Sequence, residues 1–357
     1  MNEWRGDPSF AMCAALVDGA ELSSFVGGPY DVRAVVAGMR PEVKDGFLLD
    51  EVPWGRFPQG DRVKEAVGLL HGDGAGGPGT RVRGGAGVVD GMSANDMRAA
   101  AALAVPFLIR IAADTRHRYR AGALSELSSP ARARHFGVAS RDALLLHRTG
   151  SPDDGDHDDY DDYGVEVTGY PAGWSVAAAR AAITSDTGLL LPLLGDPEPG
   201  VRMTAAYALA TATATDAGTD ADAGVRSSFR ARLDAERDPV VGAALVLAAA
   251  EATRARPHPP TAAWLSELWP DRSRPPEVRL AAVIGRLCLT DGPAPEGMRA
   301  VAGALATAER AAAMEALPWM AVAGGVRETG LVRCLRMLLN PDEPGPVECD
   351  DPWCSDC

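Results

Sequence analysis

The stretch GDPEPGVRMTAAYALA, residues 195–210, decides the fold class that this chain is predicted to adopt. It opens with a turn at Asp196 and Pro197, continues with Val201 and Arg202, and ends in small residues and leucine. Asp favours the N-terminus of a helix, and Pro is tolerated at the first helical position. Closely spaced alanines let neighbouring helices approach one another. The stretch therefore predicts a helix that begins after the turn and packs closely against other helices.

The same pattern returns along the chain at a nearly constant interval. RDPVVGAALVLAAA (237–250) repeats the turn and the valine, PPEVRLAAVIGRL (275–287) repeats Val-Arg and the alanines, and HRYRAGALSEL (117–127) offers Tyr-Arg before the same Ala-Leu pattern. The residues that mark the phase are Tyr119, Val201, Val241 and Val278, with Arg279 matching Arg202. Their spacings are 82, 40 and 37 residues, and 82 is two periods of 41. A period near 40 is typical of repeats that each contain a helix pair.

Composition agrees with a helical fold. Apolar residues make up 46% of the chain and are mostly Ala and Leu, isoleucine is scarce, and aromatic residues reach only 6%. Ala has the best helix propensity, whereas β-branched and aromatic residues favour strands. One helix pair cannot bury its apolar face alone, so neighbouring repeats must stack on it. We therefore predict an all-α chain, an α-solenoid of stacked antiparallel helix pairs with a period of about 40 residues.

The predicted array covers residues 61–339, with loops at 71–92 and 148–172. Residues 1–60 read as a poorly defined N-terminal segment, and 340–357 as an acidic, Cys-containing, disordered tail. The helix-compatible segments of the array are 61–70, 94–114 with a kink or break near Pro106, 117–127, 140–147, 173–185, 187–194, 199–212, 225–236, 239–254, 260–268, 276–289, 296–306, 308–323 and 326–339.

Residues 173–210 and 104–127 resemble bacterial HEAT-repeat proteins, whose repeats are related to those of the bilin (phycobilisome) lyases. LLDEVPWGRF (48–57) is similar to the start of such proteins, and the resemblance covers residues 48–330. It implies a fold of stacked helix pairs and says little about function, because such repeats serve many unrelated roles. An enzyme on the same scaffold, either bilin-lyase-like or DNA-glycosylase-like, therefore stays an alternative to a binding protein.

Charge limits the expected partners. The formal net charge is -14 and the sequence pI is about 4.9, which argues against nucleic acid and anionic membranes. It favours a protein partner with a basic surface, since complementary charge steers association. The longest apolar run, 99–109, contains a proline and is too short to span a bilayer, and residues 9–17 do not form a convincing secretion signal. We therefore expect a cytoplasmic protein.

Two loops contain patterns that invite a chemical interpretation. Gly72, Gly74 and Gly77 match a dinucleotide fingerprint, but a helical pattern precedes them where the fingerprint needs a strand. The loop SPDDGDHDDYDDYGVE (151–166) is rich in aspartate, yet no register of it satisfies the spacing of a calcium-binding EF-hand. The interpretations left open for this loop are a solvated segment, a docking site for a basic partner, or a metal site.

The C-terminal tail contains Cys349, Cys354 and Cys357, which offer three thiolates to zinc or a redox pair. A fourth ligand is not evident nearby, and the carboxylates around them oppose thiol reactivity. We assign no catalytic, metal or cofactor-binding residue and no cofactor. A metal- or redox-responsive adaptor built on these cysteines remains an alternative.

The residues of the repeat motif are assigned structural roles: Asp196, Pro197, Val201, Arg202, Val241, Val278 and Arg279. The two arginines are expected to bond carboxylates or carbonyls of neighbouring repeats. The leading hypothesis is a non-enzymatic scaffold that binds a protein partner through its concave face, because stacked helix pairs curve into extended surfaces.

Overall fold

A computed structural model describes residues 25–28, 30–57, 59–73, 98–132, 173–212, 220–255, 258–290, 293–323 and 328–340. Every regular element in these ranges is a helix, which confirms the all-α class for the part of the chain described. No helix in the same ranges has the length and apolar character needed to cross a lipid bilayer. The described residues form two compact units, the first containing residues up to 132 together with 173–193, and the second containing the remainder.

The first unit is arranged around one central helix. Its described helices are α1 (Val32–Ala37), α2 (Pro41–Asp45), α3 (Gly60–Asp73), α4 (Arg98–Ala113), α5 (Arg120–Ser128), α6 (Trp174–Ser185) and α7 (Thr187–Leu190), with 3₁₀ turns at Leu49–Glu51, Trp54–Arg56 and Pro130–Arg132. All six other helices pack against α4. Residues 99–109 are buried without exception. A helix that is apolar on every face is stable only when it is surrounded, so this apolar run becomes the centre of the unit.

Two helices of the first unit differ from the sequence prediction. Of the kink or break predicted near Pro106, the break is absent, since α4 is continuous from Arg98 to Ala113. The predicted end of the helical segment 61–70 is wrong, because α3 continues through Gly72 to Asp73. Glycine costs only about 1 kcal/mol inside a helix, and contacts with the rest of the fold can offset that amount.

Residues 30–57, which the sequence left poorly defined, form part of the first unit. Val32, Trp54 and Phe57 are buried, and the indole Nε1 of Trp54 donates a hydrogen bond to the carbonyl of Leu49 at 2.8 Å. Asp31 caps α1 by accepting from the backbone N–H of Arg33. The short helices of this segment therefore owe their stability to burial against α4 and α6 rather than to length.

The second unit contains the repeat motif. A 3₁₀ turn at Leu191–Gly195 precedes α8 (Pro199–Ala212), and the following helices are α9 (Asp220–Ala235), α10 (Pro239–Ala255), α11 (Pro259–Leu268), α12 (Pro276–Cys288), α13 (Glu296–Leu305), α14 (Ala308–Met314), α15 (Pro318–Ala323) and α16 (Gly330–Leu339). The bounds of α8 match the predicted helix at 199–212. The single helix expected over 308–323 is wrong, because Pro318 disfavours helical backbone in the preceding residue and starts a new helix.

Helix α10 is the centre of the second unit and packs against α8, α9, α11 and α12. A Cβ atom on Gly242 of α10 would lie 2.9 Å from Val278 of α12, and one on Gly285 of α12 would lie 2.7 Å from Ala250 of α10. The N-terminal halves of the two helices thus meet each other, as do their C-terminal halves, so α10 and α12 run parallel. Glycine at each contact lets the two backbones approach more closely than any larger residue would permit.

A polar contact lies within the core of the second unit. Glu251 of α10 is fully buried, and its carboxyl accepts a hydrogen bond from Nε1 of Trp319 in α15 at 2.7 Å. The indole of Trp319 also meets the ring of Tyr207 from α8 edge-on, with 4.8 Å between the ring centroids. These contacts connect α15 to α8 and α10, two of the three helices that carry the repeat motif.

Candidate functional site

The residues of the repeat motif lie together in the second unit. Val201, Val241 and Val278 are all buried near the beginnings of α8, α10 and α12. Asp196 is buried, and its carboxylate accepts from the backbone N–H of Glu198 in the turn before α8. These positions contribute to packing and to helix starts, and none of them lines either of the two grooves described in the first unit.

The two arginines of the motif have different partners. Arg202 donates Nε and Nη2 to the two carboxylate oxygens of Glu236, at 2.9 and 3.0 Å, and Nη1 to the carbonyls of Asp196 and Pro197. Arg279 donates Nε to the carbonyl of Trp269 at 3.0 Å. Each arginine therefore connects the beginning of its own helix to a loop, the first through a buried ion pair and the second through one carbonyl.

The carboxylate of Glu236 accepts hydrogen bonds from several groups in the second unit. Besides Arg202, it accepts from Nη2 of Arg232 and from the backbone N–H groups of Arg237 and Asp238. Burial raises the pKa of a carboxyl group, but these hydrogen bonds outweigh it and hold the pKa of Glu236 below its usual value. The arrangement stabilises the loop between α9 and α10 rather than forming a reactive centre.

Several candidate residues lie outside the described residues. They are the thiol set Cys349, Cys354 and Cys357, the acidic loop 151–166, and the glycines at 74 and 77. Gly72 lies within α3, in the helix rather than in a phosphate-binding loop. Among the residues that are described, His, Cys, Asp and Glu form no cluster of three suited to a metal ion.

An open groove of about 680 Å³ lies in the first unit, between the turn that follows α2 and one face of α3. Residues 47–51 line one side, and Asp61, Lys64, Glu65 and Gly68 of α3 line the other. The four α3 residues are spaced at i, i+3, i+4 and i+7, so they share one helix face. Apolar side chains and Gly68 form much of the lining, and carboxylates flank them. No pattern in the sequence predicted this groove.

The turn that forms one side of the groove is a helix C-terminal motif with an unusual residue. Phe47 has φ of 48°, in the left-handed region where glycine normally stands. The N–H of Phe47 bonds to the carbonyl of Lys44, and the N–H of Leu48 bonds to the carbonyl of Val43. These are the two hydrogen bonds of a Schellman motif. The Phe47 ring stacks on His71 with 3.7 Å between centroids, and this packing holds the phenyl ring at the groove in a strained backbone conformation.

An ion network underneath the turn fixes α2 in place. Lys44 Nζ lies 3.3 Å from the carboxylate of Asp186, which also accepts from Arg110 Nη1 at 2.5 Å. Arg110 Nε donates to Asp45 at 2.9 Å. Burial disfavours the charge of Arg110, but its hydrogen bonds to the two carboxylates prevail and raise the pKa of the guanidinium. The network joins α2, α4 and the junction between α6 and α7.

The groove carries a negative charge. Asp50, Glu51, Asp61 and Glu65 contribute four carboxylates, against the single ammonium of Lys64. Lys64 Nζ lies 2.6 Å from Asp50 across the groove, and this hydrogen bond, together with the positive charge, lowers the pKa of Asp50. Asp61 and Glu65 have no ion-pair partner among the described residues. A surface that combines carboxylates with apolar side chains is complementary to a surface that combines basic and apolar side chains.

Comparison of the chain with protein-family models, curated proteins and solved structures finds no match. The function of this protein must therefore be inferred from its own residues. The groove was missed in the sequence because residues 47–51 and α3 meet only after folding. One signal was available: Lys44 and Lys64 are the only lysines of the chain, and both lie at or beneath the groove.

Proposed function

We propose that this chain is a non-enzymatic α-solenoid of HEAT-like repeats that binds a protein partner with a basic surface in the cytoplasm. The array is supported by the spacing of Val201, Val241 and Val278 and by the way their helices pack. In HEAT-like arrays the equivalent helices of successive repeats lie side by side, with the second helix of each pair between them in sequence.

The helices that carry the motif fit this order. α8, α10 and α12 pack in succession, while α9 packs against α8 and α10, and α11 packs against α10 and α12. The parallel direction of α10 and α12 is the direction expected for equivalent helices of adjacent repeats. The resemblance to bacterial HEAT-repeat proteins in residues 173–210 agrees with the same proposal.

The observation that carries the binding function is the acidic groove of the first unit. Its carboxylates outnumber its single ammonium, and the exposed side chains of Asp61 and Glu65 are available to a partner. A partner with a basic surface would exchange counterions for these carboxylates, and long-range attraction would raise its rate of association. The overall charge of -14 contributes to the same attraction.

The test is capture of the partner from native cell lysate with three full-length baits. The first is the native chain and the second is the groove variant Asp61→Asn/Glu65→Gln. The third is a control, Glu267→Gln/Glu309→Gln, which neutralises two exposed carboxylates of the second unit. We expect one basic protein to be retained in near-equimolar amount by the native chain and the control, and to be lost from the groove variant. The purified partner should then bind the native chain again.

Two results would contradict the proposal. In the first, no protein is enriched over a tag-only control while a small molecule or nucleic acid is retained, which would favour an enzyme. In the second, the retained protein binds all three baits equally, which would place the contact elsewhere. Circular dichroism of each bait checks that the substitutions leave the fold intact.

A further inference from the structure

The shape of the groove selects against a small molecule. Ligand pockets for small molecules enclose most of the ligand surface. Here Leu48, Asp50, Asp61 and Glu65 are exposed at the groove, and Leu69 beside Glu65 on α3 is also exposed, with 58% of its surface accessible. An open surface that combines apolar side chains with carboxylates suits a segment of a macromolecule better than a compact metabolite.

The chain already holds a cation in this groove. The ammonium of Lys64 reaches across it to Asp50, whose side chain is 94% exposed. Glu51, which lines the groove, is paired at 2.5 Å with Arg40, which does not line it. Asp61 and Glu65 face the groove without a cation of their own among the described residues. The contact between Lys64 and Asp50 therefore shows that a carboxylate of this groove can bind an ammonium group.

From these features we propose that the groove binds a short amphipathic helix of a partner protein. Leucine-like side chains of this helix would meet Phe47 and Leu48, and its arginine or lysine side chains would meet Asp61, Glu65 and Asp50. When the groove is empty, Lys64 occupies the place of one partner cation on Asp50. The proposal rests on the binding function proposed above and specifies the chemistry of its partner.

The spacing of the carboxylates favours a helical occupant. Asp61 and Glu65 are separated by one helical turn, about 6 Å along the axis of α3. Basic residues at positions i and i+4 of a partner helix have the same separation. Gly68 continues this face of α3 by one further turn without a side chain, and a Cβ atom there would meet only Leu49, at 3.6 Å. The side chain of Leu49 therefore lies against α3 at Gly68 and contributes an apolar surface to the groove.

The experiment uses the full-length protein and a fluorescein-labelled model peptide of about 14 residues, roughly four helical turns. The peptide carries leucine along one stripe and arginine on the two flanking stripes, and a control peptide has the same composition in scrambled order. Fluorescence anisotropy measures the Kd at low salt and at about 1 M NaCl, where the Debye length is about 3 Å. We expect saturable binding of the ordered peptide, weak binding of the scrambled one, and loss of binding at high salt.

Four variants locate the site. Asp61→Asn/Glu65→Gln should weaken binding about fivefold or more, because two exposed ion pairs are lost. Glu267→Gln/Glu309→Gln changes the net charge equally and should leave the Kd within about twofold of the native value. Lys64→Gln should tighten binding about two- to fivefold, because the competitor for Asp50 is removed. Arg237→Gln, which removes an exposed positive charge of the second unit, should have a smaller effect.

Each contrary result has a distinct meaning. If the groove variant and its control weaken binding equally, peptide binding follows net charge and the groove assignment fails. If Lys64→Gln and Arg237→Gln have the same effect, the role of Lys64 fails. A dimer in sedimentation velocity that Asp61→Asn/Glu65→Gln disperses would make a second copy of the chain the occupant and overturn the proposal. Loss of peptide specificity with intact, groove-dependent capture of a partner would reject the basic helix and leave the proposed function standing.

Discussion

Replacement of Arg202 by methionine tests the buried ion pair at the start of the repeat motif. The guanidinium makes two hydrogen bonds to Glu236 and one each to the carbonyls of Asp196 and Pro197. The side chains of Arg202 and Glu236 are 9% and 3% exposed, so water cannot readily replace these contacts. Methionine keeps much of the apolar stem of arginine, and the substitution therefore removes mainly the charge and the donors.

The expected cost follows from what remains around the carboxylate. Removing one partner of a buried ion pair costs about 3–5 kcal/mol. Glu236 would retain the hydrogen bonds from Arg232 and from the backbone N–H groups of Arg237 and Asp238, so the carboxylate would still be solvated by the protein. The lower end of the range therefore applies, and we expect Arg202→Met to lower the free energy of unfolding of the second unit by about 3 kcal/mol.

The arginine at the matching position of the sequence motif, Arg279, provides the control. Arg279 donates one hydrogen bond to a carbonyl, that of Trp269, so Arg279→Met should cost about 1 kcal/mol. Urea unfolding followed by far-UV circular dichroism measures both variants, and unchanged m-values show that the difference lies in stability. If Arg202→Met costs no more than Arg279→Met, the ion pair contributes no net stability and the physical reasoning is wrong.

Three further predictions concern the second unit. Because the pKa of Glu236 is lowered by folding, its contribution is present above about pH 4.5 and is lost as the pH falls; Glu236→Gln should therefore flatten the decline in unfolding free energy in acid, measured by urea titration from neutral pH downward. Trp319→Phe removes a donor from the buried carboxyl of Glu251 and should cost about 2 kcal/mol in the same assay, and an unchanged midpoint would refute this. Gly330→Ala should lower the melting temperature and cost about 1–3 kcal/mol, because a Cβ atom there would overlap the backbone carbonyl of Met320. The control Gly303→Ala lies in open space within α13 and should raise stability by about 0.5 kcal/mol.

Local sequence signals predicted the helices of the second unit well. Pro at the first helical position and Asp before it, as at Asp238 and Pro239, set helix starts through a cap that needs no distant partner. The bounds of α8 were predictable for the same reason. The division near Pro318 was missed because the apolar pattern continues across it, although the backbone restriction before proline was available in the sequence.

The groove could not be predicted because it depends on contacts between segments distant in sequence. Phe47 occupies a position where glycine is expected, and a bulky residue is tolerated there because its ring packs against His71 and Phe107. The link between Lys44 and Asp186 joins residues 142 positions apart. Neither contact leaves a periodic trace in the sequence, so the segment 30–57 looked irregular although its side chains are well packed.

The burial of α10 on every side restricts how this protein can change during evolution. From position 241 to 254 each residue is buried, and six of these fourteen residues are alanine. A larger residue would overlap a neighbouring helix, and glycine would weaken the helix itself, so alanine is favoured from both directions. Homologous chains should therefore conserve small residues along α10 and diverge on the exposed faces of α9 and α11. Substitutions on those outer faces should therefore cost less stability than substitutions in the central helix.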